Sequence, residues 1–324
     1  MRLRRTAFLA SLAALFTSCA AKAPLKSDSQ RVPDFLFERR PFTFDCVDRS
    51  PEQSVRNEGN AGFIVSTRNQ APYLLTRSEE LSLSSSEAPA LTITADSSNM
   101  ISVTGSDRRD WFMRYCARAE GNTGAEAREG LRQVSLAHLG SLVQINRAGP
   151  DDGHTMSSFL VEAPAKAQTI IHASFSSVEV RDMNSPVRVT ASHARARILD
   201  TTGQVDVNAF VIDFAGSRGK VALSAEAEIN LKLTASRFEG TILAWAQRPV
   251  RVLVPEGFIT PFQAMVNRPQ DFICRADICS KVKQERKNGL YVLTYTGDGG
   301  AAPENVHLRS EQATVVIDNV ARKK

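Results

Sequence analysis

The chain is expected to fold as an all-β protein whose second half is a β-solenoid with a repeat of about nine residues per strand. Two patterns and one exception predict this. Short apolar pairs recur from Val178 to Val252, with turn-forming residues between them. Before them, apolar and polar residues alternate as they do in half-buried strands. One stretch near 124–135 has helical spacing instead, so a small N-terminal α+β part with one short helix precedes the repeat.

The chain opens Met1-Arg-Leu-Arg-Arg5, followed by an apolar run from Ala7 to Phe16 that only Ser11 breaks. Such a run is about half the roughly 20 residues a helix needs to span a bilayer. A basic start, a short apolar core and small residues after it describe a secretory signal over residues 1–18. Leu15-Phe-Thr-Ser-Cys-Ala20 resembles the lipobox of bacterial lipoproteins, with Phe16 where that motif carries an aliphatic residue. The resemblance implies that Cys19 is lipidated and becomes the new N-terminus. Ordinary cleavage after Ser18-Cys19-Ala20 is the alternative. Ala20, in place of an Asp, implies by the same resemblance an outer-membrane destination. Several acyl chains anchor a protein stably where one alone is marginal. Residues 19–33 then read as a flexible, polar tether reaching on the order of 20 Å.

Losing residues 1–18 removes Arg2, Arg4 and Arg5, three of 40 basic residues, and leaves a charge of +2 against 35 acidic ones. Lys and Arg are spread along the chain with no basic run interleaved with aromatics, so nucleic acid is not an expected partner. Four cysteines remain, Cys46, Cys116, Cys274 and Cys279. An even count in an oxidising compartment predicts two disulfides, for which three connectivities exist. The short loop Arg275-Ala-Asp-Ile278 favours Cys274–Cys279, leaving Cys46–Cys116. Zinc is the rival, but neither a Cys-x-x-Cys pair nor an adjacent His is present.

Residues 34–160 are expected to form the N-terminal β-rich part. Phe42-Thr-Phe44, Leu81-Ser-Leu83, Leu91-Thr-Ile-Thr94, Ile101-Ser-Val-Thr104 and Trp111-Phe-Met-Arg-Tyr115 read as strands. Ala127, Leu131 and Val134 fall at helical spacing, with Asn122 or Thr123 as the cap. Gly130 weakens that helix to roughly three turns. Leu142-Val-Gln-Ile145 is the next strand, and 148–157 reads as an exposed loop.

Residues 161–319 carry the repeat. The pairs are Val178/Val180, Val187/Val189, Ala196/Ile198, Val205/Val207, Ile212/Phe214, Val221/Leu223, Ile229/Leu231, Ile242/Ala244 and Val250/Val252, a mean of nine residues apart. Residues two apart face one side of a strand. Alternate pairs start at 187, 205 and 221, which predicts coils of two strands each. An antiparallel sandwich is the alternative, since it too uses short strands at this spacing. An open stack exposes strand edges, so caps are required. The N-terminal part and the disulfide-bearing insertion 262–287 are expected to supply them, with Leu290–Thr294 and Ala313–Ile317 as closing strands and 320–324 as a tail.

This layout resembles the bacterial putative adhesin family of exported β-solenoid domains. The resemblance runs from Leu91 to Asn319 and rests on order: Met100-Ile-Ser-Val-Thr-Gly105, the helix, Val161-Glu-Ala-Pro164, the nine-residue rungs, then Val306 to Ile317. Phe175-Ser-Ser177, Thr201-Thr-Gly203 and Ser217-Arg-Gly219 stand where such rungs carry Ser-Asn-Gly. The family carries over no catalytic residue.

Enzyme chemistry is not expected. Asp151-Asp152 reads as a solvated turn, and Asp200, Asp206 and Asp213 read as scattered surface charge. His138, His154, His172, His193 and His307 form no ligand pair, and no Gly-x-Ser-x-Gly motif is present. Asp298-Gly-Gly300 reads as a hairpin turn rather than a calcium loop. Neither a cofactor nor a metal is expected. Trp111, Trp245 and Tyr291 are candidates for a glycan-stacking surface, although buried aromatics are commoner. The sequence therefore points to a non-enzymatic envelope lipoprotein that holds the membrane through its lipid and binds a glycan or another envelope protein. A carbohydrate-active enzyme on the same fold and a periplasmic structural protein are the alternatives.

Overall fold

A computed structural model describes residues 37, 46–48, 73–96, 99–148, 155–297 and 305–320. The signal, Cys19, the tether, the strand expected at Phe42–Phe44, Asp151-Asp152, His154, Asp298-Gly-Gly300 and residues 321–324 lie outside them. The described fold holds twenty strands, one α-helix and two short 3-10 turns, and no helix among these residues is long and apolar enough to cross a membrane.

Two ladders organise the strands. In the first, β2 (Ala90–Ala95), β8 (Gln168–Ala173), the leading halves of β10 (Val187–Leu199), β11 (Gln204–Gly216) and β12 (Arg218–Leu233), and β13 (Glu239–Ala246) pair in parallel one after another. In the second, β3 (Asn99–Ser106), β9 (Ser177–Arg181), the trailing halves of β10, β11 and β12, and β14 (Val250–Val254) do the same. β10 and β11 pass from one ladder to the other through register shifts, at Ala191/Arg195 and Ala209/Val211. An extra residue at such a bulge bends the strand.

The apolar pairs explain the stack. They alternate between the ladders: those at 187, 205, 221 and 242 belong to the first, those at 178, 196, 212, 229 and 250 to the second. All eighteen side chains are at most 4% exposed and belong to one core. Each fully buried Val, Leu, Ile or Phe contributes about 1.5–3 kcal/mol. Val187 pairs with Val205, Val205 with Val221 and Val221 with Ile242, offsets of 18, 16 and 21 residues.

Spatial order departs from chain order at both ends. β6 (Leu142–Arg147) and β7 (Thr155–Pro164) stack outside β2 and β3, although they follow them in the chain. At the other end β19 (Val306–Ser310) and β20 (Val315–Asn319) lie between β13/β14 and β15 (Phe262–Val266)/β16 (Phe272–Cys274). The segment 262–287, expected as an inserted cap, therefore begins as a further parallel rung, and the expected closing strand at 313–317 is an inner one. Parallel pairing fixes the register of two strands, not the order in which the chain supplies them. The border expected between residues 160 and 161 falls inside β7. The last three residues of the loop expected over 148–157 belong to β7, with Thr155 and Ser157 buried, and residues 149–154 lie outside the described ones.

Antiparallel strands finish the ends. β5 (Val134–Leu139) lies on β6, while β4 (Trp111–Gly121) lies on β7 and β1 (Tyr73–Leu83) on β4. Far away, β18 (Leu290–Tyr295) lies on β15 and β17 (Lys283–Lys287) on β18. All five residues of β17, Lys-Gln-Glu-Arg-Lys, are exposed, and charge on an edge strand discourages further pairing. The helix α1 (Gly124–Arg132) packs against β4. Its N-cap is Thr123, whose hydroxyl accepts from the Glu126 N–H at 3.2 Å. It stops before Val134 because that residue starts β5. A Cβ at Gly130 would sit 2.8 Å from that of Ala119, so glycine lets the helix approach β4. The disulfides join Cys46 to Cys116 and Cys274 to Cys279. Phe37 packs against Leu253 and Val320, with the Lys232 ammonium 5.5 Å from its ring.

Candidate functional site

Because side chains alternate across a strand, the residues between the buried pairs form the outer faces. On the first ladder the pairing puts two columns side by side. One runs Ile170, Arg188, Asp206, Ala222, Leu243, His307, Gln263; the other runs His172, Thr190, Asn208, Ser224, Trp245, Arg309, Met265. β12 contributes the small pair Ala222 and Ser224. Its neighbours rise on either side, Asp206 and Asn208 on one, Leu243 and Trp245 on the other. The result is an open trough of about 460 Å³ across the sheet, with Met265, His307 and Arg309 beyond the Trp wall.

Leu243 is 54% exposed and Trp245 half-buried, so the wall is an apolar surface in contact with water. The rim carries paired charges. Arg188 lies 3.9 Å from Asp206, whose carboxylate also accepts from the Gln204 amide at 3.0 Å. Arg309 lies 3.7 Å from Glu311. Exposed pairs of this kind contribute little to stability and leave their polar atoms available.

The three aromatics singled out in the sequence are not brought together. Trp245 lines the trough. Trp111 is fully buried and its indole N–H donates to the Ala88 carbonyl at 2.7 Å. Tyr291 pairs across from Val266 and packs against the core, the opposite side from Met265, with the Arg286 guanidinium 5.7 Å from its ring. Strand parity decides this, and parity depends on the register of β15 with β18, which is not local to Tyr291. A second aromatic group occurs where the strands turn from one ladder to the other. Phe175 stacks on His193 with centroids 5.2 Å apart and planes 20° apart. Phe210 stands at the corresponding bulge one rung on, 41% exposed against 57% for Phe175. His193 holds φ +59, a left-handed conformation that costs a non-glycine residue about 1–3 kcal/mol.

The outer face of the second ladder is different. Across its rungs Ser102, Glu179, Arg197, Asp213, Asn230 and Arg251 follow one another in register. Glu179 and Asp213 are fully buried and Arg197 is 8% exposed. Arg197 lies 3.2 Å from Glu179, and Arg195 lies 3.1 Å from Asp213. The Asn230 amide donates to Asp213 at 2.9 Å, and Arg251 donates to Glu228 at 2.6 Å. Asp213, expected as surface charge, is therefore a buried member of an ionic column, since an outward position is buried wherever something covers the face. Of the other two, Asp200 sits in a turn at φ +49, and Asp206 is the trough residue.

Burial pushes the carboxyls of Glu179 and Asp213 above their ordinary values, with Arg197 and Arg195 respectively pulling against it. Glu228 goes the other way: burial raises it, but the hydrogen bond and charge of Arg251 outweigh burial and leave it below the ordinary range. A carboxyl raised on folding favours the fold fully below its unfolded value, about 4, and that contribution is lost as pH rises through the folded value. Acidification from pH 7 to 4 should thus add stability through Glu179 and Asp213. In urea unfolding across that range, the native protein is expected to gain on the double variant Glu179→Gln/Asp213→Asn as pH falls. A constant or shrinking difference would overturn this.

Among the described residues, no group of three or more His, Cys, Asp and Glu side chains is arranged to hold a metal ion. The residues sequence reasoning passed over are Glu179, Arg197, Leu243 and Met265. A signal for the first two was present: the residue between members of successive second-ladder pairs reads Glu179, Arg197, Asp213, alternating in sign.

No family model matches the chain, and no curated protein matches it. Among solved structures it is similar to a putative cell adhesion protein from Clostridium sporogenes, at 9% identity and a TM-score of 0.32, over 75% of this chain and 98% of that one. It is also similar to a putative adhesin from Bacteroides fragilis, at 8% identity and a TM-score of 0.25, over 76% and 97%. A putative adhesin from Parabacteroides merdae aligns at 8% identity and a TM-score of 0.26, over 75% and 96%.

Proposed function

We propose that this protein is a non-enzymatic binding module of the bacterial envelope, exported by its N-terminal signal, held to the outer membrane by lipid on Cys19, and adhesin-like in presenting a β-solenoid as its binding surface. The observation that carries the reading is the trough on the outer face of the first ladder, where Leu243 and Trp245 meet water instead of the core. A rigid ladder with a shallow, partly apolar outer face suits recognition of a ligand laid across it. The offsets of 18, 16 and 21 residues between parallel rungs support the solenoid. The trough lining holds one carboxylate, Asp206, whereas glycoside hydrolysis takes a pair, which supports binding over cleavage. The lipid anchor rests on the sequence around Cys19.

The test is protease accessibility on intact cells, comparing the native protein with Cys19→Ala. The native protein is expected to be shaved from whole cells, and the variant to be released or mislocalised. Protection of the native protein until the outer membrane is broken would overturn surface binding and direct attention to periplasmic partners. Unchanged membrane association of the variant would overturn the lipid anchor.

A further inference from the structure

We infer that the trough beside Trp245 is a subsite for one ring of a neutral, linear saccharide, whose chain crosses the rungs toward Phe210. The inference rests on reading this face as the binding face and names what it takes.

Shape comes first. Ala222 and Ser224 make a floor from which the Trp245 indole rises on one side and Asn208 and Asp206 on the other. A pyranose ring has an apolar C–H face and a rim of hydroxyls. Its face fits against the indole, and its rim meets the Asn208 amide and the Ser224 hydroxyl, which donate and accept, and the Asp206 carboxylate, which accepts. A volume of about 460 Å³ is within the range of small-ligand sites, though open to solvent along its length.

Charge selects the class. Both arginines at the rim already have a carboxylate partner, Arg188 with Asp206 and Arg309 with Glu311. An acidic sugar would have to displace one of these carboxylates and lie beside it. A neutral saccharide uses the same groups as hydrogen-bond partners without separating charges.

Direction comes from the second aromatic group. Phe210 is on the β11 rung and Trp245 on the β13 rung, two rungs apart, or roughly 10 Å along the stack. Phe210 and the stacked Phe175–His193 pair stand where the strands leave the first ladder, on the Trp245 side of the sheet. A single ring in the trough does not reach them, and a chain of several does.

Binding of the full-length protein in detergent to an array of linear hexose and N-acetylhexosamine oligomers, neutral and acidic, tests this. Variants are Trp245→Ala, which removes the wall, Ala222→Tyr, which fills the floor, and Phe210→Ala. Each changes an outward side chain, and an unaltered thermal midpoint verifies folding. Neutral oligomers are expected to bind, with at least tenfold loss for the first two variants. Phe210→Ala is expected to weaken hexamers severalfold and leave dimers unchanged. Trp245→Ala binding within twofold of native overturns the subsite, preference for acidic oligomers overturns the class, and affinity indifferent to length and to Phe210 overturns the path. If the native protein binds envelope preparations equally well with and without Trp245, this inference falls and the binding-module reading stands. If it binds neither envelope nor array, both fall.

Discussion

Replacing Arg197 by Met is expected to destabilise the fold by about 3–5 kcal/mol at pH 7, the usual result of removing one partner from a buried ion pair. Arg197 lies on the rung between Glu179 and Asp213, carboxylates fully withdrawn from water. Methionine keeps the length and apolar stem of the side chain, so packing changes little. What changes is that Glu179 retains only Arg181, at 3.9 Å, and the Ser102 hydroxyl, at 3.5 Å, among its described partners. The remedy open to a carboxyl left in this position is to take up a proton. Adding Glu179→Gln to Arg197→Met should therefore recover much of the loss, because a buried pair replaced on both sides is often near neutral in stability. Arg188→Met at the trough rim is the control. Its pair with Asp206 is exposed, and its removal should cost under about 1 kcal/mol. Urea unfolding of the four proteins decides the matter. A loss at Arg197 no larger than at Arg188 would mean that the column is not the buried electrostatic unit described above.

The same column shows how far the sequence could be read. Alternation within each short strand identified every buried residue of the nine pairs, because period two is a local property and both members must leave water together. The spacing of alternate pairs near 18 residues also anticipated which rungs become neighbours. It did not reveal that an outward position can be as buried as an inward one. Asp213 reads as a surface charge because its strand parity is outward, and only burial of that face distinguishes it, and its neighbour Asn230, from Asp206 and Asn208 on the first ladder. The ends failed for another reason. β19 enters between β13 and β15, and β2 between β6 and β8, through pairings between segments far apart in the chain, which leave no trace in a local period. At the candidate site Trp245 was identified but its company was not. Leu243 stands two residues before it on the same strand, Met265 comes to it through the pairings of β19 with β13 and β15, and Tyr291 faces the other way.

Removing the Cys46–Cys116 disulfide, by Cys46→Ser/Cys116→Ser, should cost about 4 kcal/mol, against about 2 for Cys274→Ser/Cys279→Ser, from the loop entropy each restores to the unfolded chain. The first bond spans 70 residues and the second only 5. The longer loop encloses β1, β2 and β3 and the start of β4, so this bond confines β1 and β4, which pair with each other, before either has formed. Without it, the pairing of β1 with β4 must meet its closure cost unaided. Cys46 precedes every strand, and the bond fastens its segment to β4. The short bond lies at the opposite end, beside the three-residue strand β16. Thermal unfolding of the two double variants should therefore show the larger drop for Cys46/Cys116. Limited proteolysis should cut that variant first near its N-terminus while the rungs from β10 to β12 persist. Equal losses in both variants, or first cleavage within β10–β12, would show that the bond does not secure the N-terminal end of the stack.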